Sequence, residues 1–393
     1  MEKEKEYSAL NALIGCSKVD KFLSGDYESE PCFFNNVGVA PDLLSIDDID
    51  RFLATIKYRT AECFCVDGNS PIDVTEFSDR GVINARKVLS LFNQGATLIL
   101  NRVQLYHPPL ALFCEKLSNE LGAPCQANVY MTPPGARGFD VHYDTHDVLI
   151  AQVAGEKSWS VFNSVIDLPL ASQGTSERPE VTSDPRARGK LSPGNVLYIP
   201  RGWAHEGTTE NAISLHITFG VYAFTWADLL LEAVSDAILN DVDYRRSLPI
   251  DFFDQSSDIK LNQATLSELL ARLGKSASVA SLRPVLHEQL RAQTGAGVRH
   301  LLSQICLSKV LDDSTRLRVD RSSLKWLKVE ADRSKIGVPM GVVELREAAA
   351  SAFNFCLRNE EVSVSDLSEW LPEQDRIEFV RNLISKELLR VCT

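Results

Sequence analysis

His142-Tyr143-Asp144 carries the densest chemistry in this chain. On an extended backbone, residues two apart project to the same side, so an imidazole and a carboxylate converge there. A metal needs a third donor, which must come from elsewhere. His205 is the best placed. Pro193-Gly194-Asn195-Val196-Leu197-Tyr198-Ile199-Pro200-Arg201-Gly202-Trp203-Ala204-His205 reads as a turn, a strand, a second turn and a histidine. Two histidines and one carboxylate on one face of a metal leave three positions open, the facial triad of non-haem Fe(II) oxygenases. The lack of thiolate in this set argues against a structural zinc site. An isolated His-x-Asp pair is a weak signal, common in polar loops; the later Pro-Gly string ending in His205 gives it weight.

Stepping out from these residues, short strand signals surround them. Ala96 to Asn101, Ala127 to Thr132, Val148 to Val153, Ser158 to Phe162, Val196 to Ile199 and Ala212 to Gly220 are apolar or alternating runs set off by glycine and proline. The pair on either side of Gly155 reads as a hairpin. Many short strands with Gly/Pro turns indicate an antiparallel barrel or jelly roll. Ser164 to Lys190 is long, polar and proline-rich, as expected of a surface insertion. The texture then changes. Trp226 to Leu239 and Leu261 to Leu273 have apolar residues at helical spacing. The expected organisation is α+β: a barrel domain with its N-terminal extension over 1–225, a helical region over 226–312 and a smaller segment over 313–393.

Composition bounds the function. The chain has 393 residues, with 44% hydrophobic and 24% charged, the mix of a globular protein. Its 41 basic against 53 acidic residues leave a net charge of −12, which repels phosphate backbones and anionic membranes at long range. No apolar run is long enough to span a bilayer, and no signal peptide is visible. The nine cysteines are scattered, with no CxxC, which fits reduced thiols in a cytoplasmic protein.

The segment Asn128-Val-Tyr130-Met-Thr-Pro-Pro-Gly135, then Gly138-Phe-Asp-Val-His142-Tyr-Asp144-Thr-His146-Asp147-Val-Leu149, then Gln152-Val-Ala-Gly155-Glu-Lys157-Ser-Trp159, together with the Pro193 to His205 string, resembles the JmjC-type oxygenases of the cupin-4 group, which includes the ribosomal oxygenases. The likeness is dense over 95–225 and looser outside; Phe22 to Phe34 also resembles the aromatic-rich entry to such barrels. The resemblance implies a double-stranded β-helix of the jelly-roll/cupin type, with His142, Asp144 and His205 as ligands of Fe(II). It implies 2-oxoglutarate as co-substrate, held by Lys157 with Asn128 and Tyr130, and O2 as oxidant. A buried strand lysine needs an anion in any case, and a dicarboxylate would supply one. The chain departs from the family at Gly220, where a hydroxyl residue often touches 2-oxoglutarate; Thr218 or Tyr130 would have to compensate. His146 is expected to line the substrate entrance rather than bind metal, and His216 to be a satisfied core histidine. Asp147 and Arg137 flank the site as candidates for substrate contact. His107, His287 and His300 have no supporting context.

At the C-terminal end, a helix from about Glu344 to Arg358, a short helix capped by Ser365, a helix from Asp375 to Glu387 and a strand at Leu388 to Val391 resemble a winged helix, which ribosomal oxygenases carry there. A DNA-reading version needs a basic recognition helix. Here Arg376, Arg381 and Lys386 are balanced by Asp375, Glu378 and Glu387, which argues against DNA. The expected function is a 2-oxoglutarate-dependent dioxygenase that hydroxylates a protein side chain, with ribosomal proteins as candidate substrates, in a homodimer formed by the helical region. The alternatives are an oxygenase acting on a small molecule or peptide natural product, and a non-enzymatic cupin/helix-turn-helix regulator.

Overall fold

Strand alternation sorts the residues of the first unit between two cores. In Ser214–Val221 every residue is buried, because both faces of the strand are covered. Leu215, Ile217, Phe219 and Val221 pack outward into a large cluster with helices, while His216 and Thr218 face the opposite way. The computed structural model describes residues 8–35, 40–56, 62–67, 70–136, 139–174, 179–181, 183–254, 259–294, 301–320, 326–329, 333–338 and 341–392. Arg137 and His300 lie outside the described residues. Contacts divide the chain into two compact units, Met1–Leu282 and Arg283–Thr393.

The first unit is built on two antiparallel sheets. Its strands are β1 (Cys32–Phe34), β2 (Cys63–Asp67), β3 (Ser70–Pro71), β4 (Thr97–Leu100), β5 (Cys125–Thr132), β6 (Asp147–Gly155), β7 (Lys157–Ser164), β8 (Ala187–Leu191), β9 (Val196–Ile199), β10 (Trp203–Thr208) and β11 (Ser214–Val221). The large sheet runs β1-β9-β6-β11-β5-β4-β2-β3 and the small one β8-β7-β10. Val148, Ile150, Leu197 and Ile199 of the large sheet meet Trp159, Val161 and Leu191 of the small one in a shared cluster, so the sheets face each other. The outer face of the large sheet is covered by α1 (Ser8–Ile14) and α2 (Pro108–Leu121). Proline in the first turn and Gly122 in the left-handed conformation delimit α2. The buried Glu120 carboxylate accepts from the Ala9 and Leu10 amides, satisfying donors at the start of α1 that the helix cannot pair itself.

The segments around Gly155 are not a hairpin. β6 pairs with β9 and β11, and β7 with β8 and β10. The chain turns a corner at Gly155 from one sheet into the other. Its φ is +63°, and a Cβ there would lie 1.7 Å from the Ile213 carbonyl oxygen, so glycine is required on both counts. The polar insertion also ends in structure: its last residues form β8, an edge of the small sheet. Two helices follow, α3 (Trp226–Asn240), whose Thr225 and Asp228 form a capping box, and α4 (Ile259–Ser276). Only Ala233 and Ala237 of α3 are buried, and Leu230, Leu231 and Leu239 are exposed. No helix among the described residues is long and apolar enough to cross a membrane.

The second unit holds most of α5 (Val279–Thr294), then α6 (Leu301–Leu307), β12 (Arg316–Val319), β13 (Trp326–Val329), β14 (Arg333–Val338), β15 (Gly341–Arg346), α7 (Glu347–Arg358), β16 (Val362–Ser363), α8 (Glu373–Ser385) and β17 (Leu389–Val391). Its sheets run β16-β12-β17 and β13-β14-β15. Two sequence expectations shift here. Residues 344–346 finish a strand rather than open a helix, and the cap of the short helix is Ser363, whose backbone amide is bonded by Asp366. Ser365 is the second residue of the short helix it was expected to cap, Val364–Glu369.

Candidate metal and co-substrate site

His142, Asp144 and His205 come from two segments that the backbone ties together. His142 and His205 form an isolated antiparallel bridge, with their amides and carbonyls bonded both ways at 3.2 and 2.8 Å. The Gly202 amide donates to the Asp144 carbonyl at 2.8 Å. A register shift in the β10–β7 pairing between Trp203 and His205 re-aims His205, as bulges beside active sites do. One ligand atom from each of the three residues then lies within 4.8 Å of the other two. His205 Nε2 is 3.7 Å from Asp144 Oδ2, and the two imidazoles are 4.4 Å apart between centroids.

The tautomers follow from the hydrogen bonds. His142 Nδ1 is 2.8 Å from the Asp140 carbonyl oxygen, and His205 Nδ1 is 3.0 Å from that of Trp203. A carbonyl only accepts, so each Nδ1 carries a proton, and in the neutral ring the lone pair is left on Nε2. Burial first, then the neighbouring His142, pushes His205 down to about 4, which keeps its ring neutral. Burial works to raise the Asp144 carboxyl, but His205, His146 and His142 together hold it below the ordinary carboxylate range. Two imidazoles and a carboxylate converging from one side fit a divalent first-row metal with open positions.

Behind this cluster lies a buried cation. Lys157 opens β7, is 3% exposed, and among the described residues pairs with no carboxylate. Its Nζ is 3.4 Å from Thr132 Oγ1 and lies over the Trp159 ring at 5.3 Å. Burial pushes its pKa down to about 7. Gly207 on β10 makes room, since a Cβ there would sit 2.9 Å from Lys157 Cε. Two polar atoms nearby, Trp159 Nε1 and His216 Nδ1, are buried without a hydrogen-bond partner, a cost proteins seldom leave unmet. An ammonium with unpartnered polar groups around it fits a bound anion.

Asn128 and Tyr130 lie on the inner face of β5, opposite Thr218 and His216 of β11. Asn128 Oδ1 accepts from the Arg102 amide at 2.9 Å and supports Arg102 at φ +55°. Tyr130 stacks on His216 with centroids 5.0 Å apart and planes 4° from parallel, and burial pushes its hydroxyl pKa upward. His216 is therefore buried but not satisfied, contrary to expectation. Thr132, two residues past Tyr130 on the same face of β5, is a further site residue that this spacing makes legible. Asp147 is no substrate contact. It is fully buried, accepts from Tyr198 Oη at 2.9 Å and from Arg201 Nη1 at 2.9 Å, and Arg201 also pairs with Glu28. Nothing in the local pattern marks this network, because its members are far apart in sequence. His107 bonds the Leu43 carbonyl.

Residues 100–229 match the JmjC domain family. The chain is 33% identical over 240 residues to ribosomal oxygenase 1 of Rattus norvegicus, covering 53% of this chain and 40% of that one. It is 30% identical over 262 residues to the bifunctional lysine-specific demethylase and histidyl-hydroxylase NO66 of Drosophila pseudoobscura pseudoobscura, covering 62% and 26%. The chain thus spans less than half the length of these relatives. Among solved structures, YcfD, a ribosomal oxygenase from Escherichia coli in complex with cobalt and succinic acid, superposes with a TM-score of 0.51 at 16% identity, covering 95% of this chain and 98% of that one. At that identity the likeness concerns the fold.

Proposed function

We propose that this chain, whose residues 100–229 are a JmjC domain, is an Fe(II)- and 2-oxoglutarate-dependent oxygenase that hydroxylates a C–H bond of a protein side chain. The observation that carries the reading is the convergence of two Nε2 lone pairs and the Asp144 carboxylate, with both Nδ1 atoms spent on backbone carbonyls. In this reading His142, Asp144 and His205 hold iron, and Lys157 receives the far carboxylate of 2-oxoglutarate, with Asn128 and Tyr130 lining the space between. When bound, iron and 2-oxoglutarate together activate O2 and yield succinate and CO2. The protein's part is to hold the ligands on one side, keep the His205 imidazole neutral, fix the keto acid by its distal end and exclude water with the Trp159, Val161 and Ile150 wall. A ribosomal protein is the substrate class favoured, since relatives over this region bear the name ribosomal oxygenase. The test is intact mass spectrometry of ribosomal proteins incubated with the chain, Fe(II) and 2-oxoglutarate. One protein should gain a single oxygen with the parent and none with His142→Ala. Succinate release with every ribosomal protein unchanged would move the reading to a small-molecule or peptide substrate.

For the rest of the chain, divided by the sequence into 1–225, 226–312 and 313–393, we propose a homodimeric assembly; contacts place 226–282 with the first compact unit and 283–312 with the second. Leu230, Leu231 and Leu239 of α3 are exposed, and a groove of about 480 Å3 lined by Leu248, Phe252, Ile259, Leu266 and Leu269 adjoins α4. Exposed apolar surface of this kind marks an interface. The C-terminal segment reads as a winged-helix-like domain whose α8 offers no basic face. Arg376 is bonded to Asp313 and the Leu371 carbonyl, and Arg381 to the Ser308 carbonyl, which favours packing over DNA contact.

A further inference from the structure

The inward face of β11 carries His216, then Thr218, then Gly220. Gly220 does not need to be glycine for its backbone, because its φ is not positive. It needs to be glycine for space. A Cβ built there would lie 2.8 Å from His146 Cδ2 and 2.9 Å from His146 Nε2, closer than side chains approach. The volume a side chain at 220 would fill is therefore held by the imidazole of His146. That ring is fixed by a parallel stack on Tyr222, with centroids 4.5 Å apart and planes 14° from parallel. It follows Asp144 by two residues and meets the Gly220 end of β11, whereas Lys157 meets Thr132, which pairs with Ser214 at the other end of that strand, so it lies at the metal end of the cavity, away from Lys157. It is not one of the three converging ligands, and among the described residues it makes no hydrogen bond to protein.

We propose that His146 supplies, through a ring nitrogen, the hydrogen bond to the metal-proximal end of 2-oxoglutarate that a side chain at position 220 would otherwise supply. The inference rests on the co-substrate reading of the site. Two halves of the observation support it independently. The strand position that faces the cavity has no side chain of its own, and the ring that takes its place brings a polar atom with no protein partner into the same volume. A purely apolar filler would have served packing equally well.

The test is calorimetric titration of 2-oxoglutarate into the Mn(II)-loaded full chain, with Mn(II) affinity measured separately. His146→Ala should weaken 2-oxoglutarate about tenfold, the upper range for one lost neutral hydrogen bond. His146→Phe keeps the ring and its stack on Tyr222 but no nitrogen, and should weaken it as much. Gly220→Ser alone should weaken it too, by displacing the imidazole. The double variant His146→Ala/Gly220→Ser restores a hydroxyl to a vacated volume and should bind within about threefold of the parent, less than the factor one hydrogen bond contributes. Mn(II) affinity should stay unchanged throughout. Parental binding by His146→Phe, or a double variant no tighter than His146→Ala, would overturn the inference. Loss of Mn(II) in His146→Ala would overturn it differently, by making His146 a ligand. Lys157→Ala separates the two levels. If it loses 2-oxoglutarate while His146→Phe does not, only this inference fails; if it too binds like the parent, the co-substrate reading fails and takes the inference with it.

Discussion

At the scale of single residues, the site combines groups whose environments decide their protonation. Replacing His142 or Asp144 with alanine should abolish metal binding while leaving the thermal unfolding midpoint close to the parent's, because neither side chain belongs to a hydrophobic cluster; metal retention by both variants would contradict the triad. Lys157→Ala should weaken 2-oxoglutarate by roughly ten- to a hundredfold, the range for one charge-assisted hydrogen bond of about 1.5–3 kcal/mol, and Lys157→Arg by less. The pH dependence follows from burial, which takes the Lys157 pKa from 10.5 to about 7. Between those values the unfolded chain holds a proton that the folded one has lost. The group's contribution to stability is therefore present above the unfolded value and lost as pH falls toward 7. A bound dicarboxylate restores the proton. Binding at pH 8 should then take up close to one proton, read from calorimetry in two buffers of different ionisation enthalpy, and affinity should fall as pH rises above 7. Binding without proton uptake would show that the anion does not meet Lys157.

At the scale of elements, the ligands depend on how the β9–β10 turn is fastened to the loop before β6. The fully buried Asp147 carboxylate bonds the side chain and amide of Arg201, the residue before Gly202, whose amide holds the Asp144 carbonyl. Arg201→Met should therefore cost about 3–5 kcal/mol, the usual penalty for leaving one partner of a buried ion pair alone; chemical denaturation measures it, and a loss below about 1 kcal/mol, the worth of an exposed pair, would show that Asp147 finds another partner. The elements themselves were largely legible in the sequence, since strands with one face to the cavity and one to a core must alternate, as Ala127 to Thr132 does. What was illegible depended on partners distant in the chain. The corner at Gly155 looks like a hairpin until its strands are seen to pair with β9 and β10 rather than with each other. Gly220 looks like a missing contact until His146 is seen in its place. The His142, Asp144 and His205 set was readable because His142 and Asp144 stand two apart and the Pro193 to His205 string supplies the third donor, although the structure gives the first two an isolated bridge and a loop rather than a strand; the Glu28, Asp147 and Arg201 network was not, because no spacing rule relates its members.

At the scale of the molecule, the exposed leucines of α3 and the groove beside α4 bear on assembly. Light scattering at micromolar concentration should report about twice the mass of 43.6 kDa, as expected where an obligate interface buries more than about 2,000 Å2. Leu230→Glu/Leu231→Glu should return the chain to a monomer that still binds Mn(II) and 2-oxoglutarate. A parent that scatters as a monomer throughout would remove the dimer from the account without touching the site. The central claim, that the barrel holds iron and 2-oxoglutarate together, has a more direct test that needs no knowledge of the substrate. A keto acid chelated to Fe(II) absorbs visible light by charge transfer, and the reaction cannot proceed without O2. Anaerobic titration of the Fe(II)-loaded chain with 2-oxoglutarate should develop that band saturably in the parent, only at much higher 2-oxoglutarate in Lys157→Ala, and not at all in His142→Ala. A parent without the band, or a His142→Ala variant with the same one, would contradict the account.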